Sequence, residues 1–249
     1  MSTQQYSKIE LLISVIARML VDRKHIAVGA SSPIPGAAAL LAKKQSTQFI
    51  RVSVLGNEQF NDFTDGAREL FDCAAQGRID AFFLGGGQID ENANVNLLGL
   101  GTYPDFNIRF PGSYGSAYLY FLIPRIILFR PEHSRRTLVK KVDFISAPGT
   151  SEKNIYRRGG PYALVTERCV FKFNENEQSF YLKSIHKGET LESIKDNTGF
   201  EFLHSSVVPQ TQPPSSESLN LIRTTVSKDI SKIYPKFFLK NIKKISPYL

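Results

Sequence analysis

Three times in its first half the chain runs from a short apolar stretch into a glycine-bearing turn, a pattern that closes most readily as a parallel sheet crossed over by helices. His25 to Val28 leads into Gly29-Ala30-Ser31-Ser32-Pro33-Ile34-Pro35-Gly36, after which Ala37 to Lys44 is an alanine-rich helix. Phe49 to Leu55 reads as a strand ending at Gly56-Asn57. Thr64 to Gly77 reads as a helix with a Thr or Asp cap and a glycine stop, and Ile79 to Leu84 as a strand ending in Gly85-Gly86-Gly87. Ahead of these, Ile9, Leu12, Ile13, Ile16 and Leu20 recur at helical spacing and predict a first helix with one buried face.

The second half is richer in strand signals. Leu138 to Ser146, closed by Ala147-Pro148-Gly149, reads as a strand, and Tyr162 to Phe173 with Ser179 to Ile185 as a strand pair. Thr190 to Asn197 is a capped helix stopped by Gly199, and Leu219, Ile222, Val226, Ile230 and Ile233 form the stripe of a last helix. The expected fold is therefore α/β, an open, mostly parallel sheet flanked by helices, with a strand-rich second half. The expected division is an α/β domain over residues 1–204, a Pro/Ser/Gln linker over 205–218, and a C-terminal helix with a basic tail over 219–249.

Composition narrows the function. At 249 residues, 42% hydrophobic and 22% charged, the chain suits one large core and gives no support to disorder or repeats. Its two cysteines, Cys73 and Cys169, lack CxxC spacing, which argues against a disulfide scaffold and fits a reducing, cytoplasmic compartment. The stretch from Ile9 to Val21 carries Glu10 and Arg18 and is too short to cross a bilayer, so neither a signal peptide nor an anchor is expected. A net charge of +8 invites a polyanion partner. No helix-turn-helix, RNP or zinc-finger pattern accompanies it, so a ligand bearing several phosphate charges is expected rather than nucleic acid. Lys232, Lys236, Lys240, Lys243 and Lys244 interleave with aromatic residues in the tail, as a solvated face or a surface packed on a partner. His25, His133, His186 and His204 show no metal-ligand spacing, and HExxH, GxSxG and Walker patterns are absent, so no metal is expected.

Ligands of open α/β sheets bind outside the carboxyl ends of the strands, so the turns at Gly29, Gly56 and Gly85 are expected along one rim. The segment FFLGGGQIDENANVN at Phe82 to Asn96 resembles the GGAQID-x-x-GN-x-N signature of the second subunit of class I coenzyme A transferases, with glutaconate CoA-transferase the nearest type. Five further segments follow that family's order. They are VGASSPIPGAAALLAK from Val28, RFPGS from Arg109, HSRRTLVKKVDFISAPG from His133, GGPYALVTERCVFKF from Gly159 and DNTGF from Asp196. The resemblance implies one half of a hetero-oligomer: a homologous alpha subunit would complete the site, with acyl-CoA and carboxylic acids as substrates and coenzyme A itself as substrate rather than resident cofactor.

By the same resemblance, a glutamate in a Glu-Ser-Gly turn would attack the acyl-CoA carbonyl, and the anhydride would pass through a glutamyl-CoA thioester. Positioning against the carbonyl makes a carboxylate competent for this. Counting along the family pattern places Leu55 at the glutamate position, with Gly56-Asn57 in place of Ser-Gly. Two accounts are open. In one, Glu58, the nearest carboxylate, is the catalytic nucleophile; in the other, the nucleophile is lost and the catalytic carboxylate belongs to the partner, as in related steroid-ring hydrolases that need only a general base. A third possibility is a non-catalytic partner subunit.

The resemblance also implies substrate or CoA contacts at Gly29, Pro33, Gly56, Asn57, Gly85, Gly86, Gly87, Gln88, Asn94, Asn96, Gly112, Ser113 and Tyr114. The triple glycine, with no Cβ and with positive φ allowed, would admit a ligand close to the backbone, or it would form a tight turn with no ligand. Gln88, Asn94 and Asn96 would bond pantetheine or brace their own loop. Tyr114 stands where the family has glycine, and would donate a hydrogen bond to substrate or serve as packing. His133, with Arg135 and Arg136, is expected at the surface or in a subunit contact rather than in catalysis.

Overall fold

The computed structural model describes residues 5–57 and 59–242. In chain order the elements are α1 (Lys8–Arg18), β1 (His25–Val28), α2 (Pro33–Gln45), β2 (Arg51–Val54), α3 (Gly66–Ala75), β3 (Ala81–Leu84), β4 (Gln88–Ile89), β5 (Val95–Asn96), β6 (Gly99–Leu100) and β7 (Ile108–Arg109). They continue with α4 (Ser116–Leu122), β8 (Arg125–Phe129), β9 (Pro161–Val165), β10 (Cys169–Asn174), β11 (Ser179–Ile185), α5 (Leu191–Asn197) and β12 (Leu203–His204). The last stretch is α6 (Ser216–Leu221), a π-helical turn (Ile222–Val226), α7 (Ser227–Ile233) and α8 (Pro235–Asn241).

The chain divides into two compact units, one of residues 1–70, 78–81 and 212–249 and one of residues 71–77 and 82–211. In the first unit β1 lies between β2 and the start of β3 and runs parallel to both, with His25 opposite Arg51 and Ile26 opposite Ala81. All four β1 residues are buried, as expected of a central parallel strand covered on both faces. His25 fits because its imidazole is satisfied: Nδ1 donates to the Arg78 carbonyl at 3.0 Å and Nε2 meets the Ser53 hydroxyl at 2.9 Å.

Helix α2 packs against α1, α6, the π-helical turn and α7, and Ala37 through Ala42 are all buried. Methyl side chains let neighbours approach from every side, which a one-faced amphipathic helix would not allow. Helix α1 starts with a reciprocal cap, the Ser7 hydroxyl accepting the Glu10 N–H while the Glu10 carboxylate accepts the Ser7 N–H. That carboxylate, almost wholly buried, also accepts from Arg223 Nε at 2.6 Å, so its charge is paired where it is desolvated. Leu219, Ile222, Val226 and Ile230 are buried, so the expected C-terminal stripe is present, but it is carried by successive helical pieces with a π-helical turn between α6 and α7.

The second unit orders its strands β12-β11-β10-β9-β8-β3. β8 and β9 are parallel, β9, β10 and β11 are antiparallel neighbours, and β12 is parallel to β11. The mostly parallel sheet with a strand-rich second half is thus observed. The expected strand over Tyr162 to Phe173 is two strands, because the turn at Thr166–Arg168 reverses the chain, with the Thr166 N–H bonded to the Cys169 carbonyl at 3.1 Å.

The expected strand over Leu138 to Ser146 does not form. Its backbone instead bonds to the loop after β3: Val139 N–H to the Ile89 carbonyl, Ser146 and Ala147 N–H to the Val95 carbonyl, and Val142 N–H to the Asp90 carboxylate. The segment from Ser205 is also ordered by bonds to β11, the Ile185 N–H reaching the Pro209 carbonyl and the Thr211 N–H the Ile185 carbonyl.

Candidate functional site

In the first unit the candidate residues follow β1 and β2. Gly29 comes directly after β1, Ala30 and Ser31 are exposed, and Ser31 takes φ +57° before Pro33 opens α2. The Ser32 side chain does not cap the helix, and Pro33 and Pro35 have no N–H, so the first turn presents few amides to a ligand. Leu55 directly follows β2, its N–H bonded to the Val28 carbonyl at 2.9 Å, which sets it beside the end of β1. Gly56 has φ +77°, a conformation that disfavours any side chain, although among the described residues a Cβ there would meet only Ala30, at 4.0 Å. Asn57 spends its side-chain oxygen on the turn, accepting the N–H groups of Gln59 and Phe60 at 2.9 and 2.8 Å. Glu58 lies outside the described residues.

The second unit carries the loop after β3. None of Gly85, Gly86 and Gly87 has positive φ, which corrects that expectation. They are glycines because the protein's own atoms crowd them. A Cβ on Gly85 would stand 2.7 Å from the Phe129 carbonyl oxygen, on Gly86 2.5 Å from Val95 Cγ1, and on Gly87 2.1 Å from the Phe110 ring.

The polar side chains of the loop point into it. Gln88 Oε1 accepts from Asn96 Nδ2 at 2.8 Å and from the Asp143 N–H at 3.0 Å, while Gln88 Nε2 donates to Asp143 Oδ1. Asn96 further donates to the Gly99 carbonyl and accepts from the Leu98 and Gly99 N–H groups. Asn94 donates to Asp90 and accepts from the Gly149 N–H. Both asparagines therefore brace the loop. Asp90, almost fully buried, accepts four bonds, from the N–H groups of Asn92, Asn94 and Val142 and the Asn94 amide. Tyr120 of α4 supports the same turn, its hydroxyl donating to the carbonyl of Ala93, which has φ +60°.

Gly112 has φ +110° with open space around it, and the Ser113 carbonyl accepts the Ser116 N–H at the start of α4. Tyr114 is exposed, takes φ +40°, and lies against Phe71 with ring centroids 6.2 Å apart. It is neither core nor engaged with the loop after β3.

His133 departs from expectation: it is buried, not at the surface. Nε2 meets the Thr198 hydroxyl at 3.0 Å and Nδ1 the Thr166 hydroxyl at 2.8 Å. Thr198 donates onward to the Ile194 carbonyl, so it accepts from Nε2–H. Burial, reinforced by the nearby Arg168 charge, lowers the His133 pKa to about 4.

From sequence, Asp90-Glu91 reads as a turn or cap rather than an acid/base pair, and Asp90 does close the turn. Sequence reasoning missed Asp143 as a loop brace, and no local signal marks it. Among the described residues no group of three or more His, Cys, Asp or Glu is placed to hold a metal, and no helix is long and apolar enough to cross a membrane.

A mostly parallel sheet whose β1, β2 and β3 run into glycine-containing loops, with helices flanking it, defines an open α/β protein. The coenzyme A transferase family profile matches residues 10–197, and the chain belongs to that family. It is 30% identical over 153 residues to a subunit of 3-oxoadipate CoA-transferase from Pseudomonas knackmussii, covering 59% of this chain and 58% of that one. It is also 30% identical over 166 residues to the cholesterol ring-cleaving hydrolase IpdB subunit of Rhodococcus jostii, covering 63% and 62%. Each alignment spans less than two thirds of the relative's length. The fold matches that of glutaconate coenzyme A-transferase from Acidaminococcus fermentans with a TM-score of 0.76 at 22% identity, over 88% of this chain and 94% of that one.

Proposed function

We propose that this chain is one subunit of a heteromeric enzyme that moves coenzyme A between carboxylic acids, completed by a homologous alpha subunit. The observation that carries the reading is the GGGQIDENANVN loop, whose glycines and inward-turned amides make it a stiff backbone surface after β3. Stiffness has a use in acyl transfer, because donors fixed in advance need no reorganisation as charge develops on the thioester oxygen. The net charge of +8 favours a ligand with phosphate groups.

In this reading Glu58 attacks the thioester carbonyl and the C–S bond breaks, releasing CoA thiolate. The thiolate then adds to the enzyme carbonyl of the anhydride and expels the free acid, leaving glutamyl-CoA for the acceptor. Leu55, beside the end of β1, favours a second reading in which this subunit supplies no nucleophile and a partner carboxylate activates water in a hydrolytic reaction, the activity named for the Rhodococcus relative.

Trapping distinguishes them. The complex with its alpha subunit is incubated with acyl-CoA and then treated with borohydride or hydroxylamine. A modified Glu58, with transfer abolished in Glu58→Gln, supports the first reading. Thioester turnover without an adduct, and Glu58→Gln as active as wild type, supports the second.

A further inference from the structure

The family profile ends at residue 197, and the C-terminal helices lie beyond it. In the first unit they run back along α2. Gln45, the last residue of α2, donates its side-chain amide to the Ser218 hydroxyl of α6 at 3.0 Å. Near the other end of α2, a Cβ on Gly36 would stand 3.1 Å from the ring of Tyr234. Between these two points Ile222, Val226 and Ile230 are buried. In an unbroken α-helix, residues four apart drift by about 40° per step, which would turn Tyr234 away from the face that Ile222 begins. The wider π-helical turn over Ile222–Val226 sets back part of that drift. At Tyr234 the helix breaks, with φ −131° and ψ 65°, because Pro235 follows and a residue before proline avoids the α region.

The Tyr234 ring is thereby laid against the first turn of α2, a turn without a side-chain cap, since the Ser32 hydroxyl donates to the Ala30 carbonyl at 3.3 Å instead. The phenol oxygen is closed off from solvent beside Ser32. Burial raises its pKa, and the Ser32 N–H opposes the rise. It completes no hydrogen bond of normal geometry among the described residues, so the ring rather than the hydroxyl makes the contact. Directly before Ser32, Ser31 is held at φ +57°, a conformation that costs a serine about 1–3 kcal/mol and persists only where its surroundings impose it. The same loop backs the next strand end. The Val28 carbonyl takes the Leu55 N–H, and Ala30 is the group that a Cβ on Gly56 would meet.

We propose that Tyr234 is a positioning residue for the reaction of this chain: from the C-terminal helices its ring fixes the first turn of α2, and with it the loop from Gly29 to Ser32 that backs the turn at Leu55 to Asn57. The role rests on the reading of that turn as part of an acyl-CoA site.

The test uses the complex with the alpha subunit and the variants Tyr234→Leu and Tyr234→Phe. Phe238→Leu serves as a control, because Phe238 is also a buried aromatic residue of the C-terminal helices. Tyr234→Leu is expected to quicken amide exchange at Gly36 and Leu55 by about tenfold or more, and to lower kcat about tenfold with KM for acyl-CoA within about threefold. Tyr234→Phe keeps the ring and stays within about threefold of wild type in kcat and in exchange. Phe238→Leu is expected to leave both quantities within about twofold. If Tyr234→Leu lowers the melting temperature, Tyr234→Met, which also removes the ring, replaces it. The positioning role alone is overturned if the wild-type complex turns over acyl-CoA and the folded Leu or Met variant matches it in kcat or in exchange at Gly36 and Leu55. It is likewise overturned if Tyr234→Phe is as impaired as Tyr234→Leu, or if Phe238→Leu shows the same losses. A wild-type complex that neither turns over acyl-CoA nor is trapped by it overturns the acyl-CoA reading and this role together.

Discussion

Replacing Asp90 by asparagine tests the loop after β3 with almost no change in shape. The carboxylate accepts the Asn92 and Asn94 N–H groups on Oδ1, at 3.1 and 2.9 Å, and the Asn94 amide and Val142 N–H on Oδ2, at 3.1 and 3.3 Å. In Asp90→Asn one oxygen becomes an NH2 group, so one pair of donors faces another donor. A buried donor left without an acceptor costs about 1–3 kcal/mol. Two such losses, partly offset by no longer burying a negative charge, give a destabilisation of about 3 kcal/mol. For a protein of this size that lowers the melting temperature by about 6–12 °C. Thermal melts by circular dichroism measure the shift, and amide exchange should quicken first at Asn94 and Val142. A shift below about 1 °C would refute the claim that this carboxylate holds the turn.

Other consequences follow from buried groups elsewhere in the second unit. His133 has its folded-state pKa lowered to about 4 from a usual value of 6.5, so the unfolded state binds more protons between those values. Its stability contribution is present above pH 6.5 and is lost as pH falls toward 4, by about 3 kcal/mol. Urea titrations at pH 7 and pH 4 should show the gap between wild type and His133→Gln shrinking by that amount, and a constant gap would count against a neutral buried ring. Gly149→Ala would place a Cβ 2.3 Å from the Asn92 carbonyl oxygen and 2.6 Å from that of Ala93, costing about 3 kcal/mol. Gly160→Ala, whose Cβ would meet only Glu175 at 3.9 Å, should stay within about 0.5 kcal/mol, and equal denaturation midpoints for the two variants would contradict the crowding argument.

The parallel half of the fold was legible because each β1, β2 and β3 signal is local: a buried apolar run, a glycine turn and a following helix with its own period. Leu138 to Ser146 misled because its alternation reflects residues that face the loop after β3 in turn, and the partners, Ile89, Asp90 and Val95, lie about fifty residues upstream. The triple glycine was recognisable as special, but the reason was not, since Phe129, Val95 and Phe110 come from three other segments. His133 looked exposed beside Arg135 and Arg136, while Thr166 and Thr198, which enclose it, are distant in sequence. The bonds of Asn57 to Gln59 and Phe60 are turn chemistry that the local sequence already allows.

The hydrogen bonds that tie residues 138–149 to residues 86–96 make those stretches a single exchangeable cassette. A chimera that imports only the glycine loop of a relative would leave Gln88, Asp90 and Asn94 facing backbone they did not evolve against. Transplanting both stretches together carries the donors and acceptors as matched sets, and loop swaps within this family should succeed or fail on that choice.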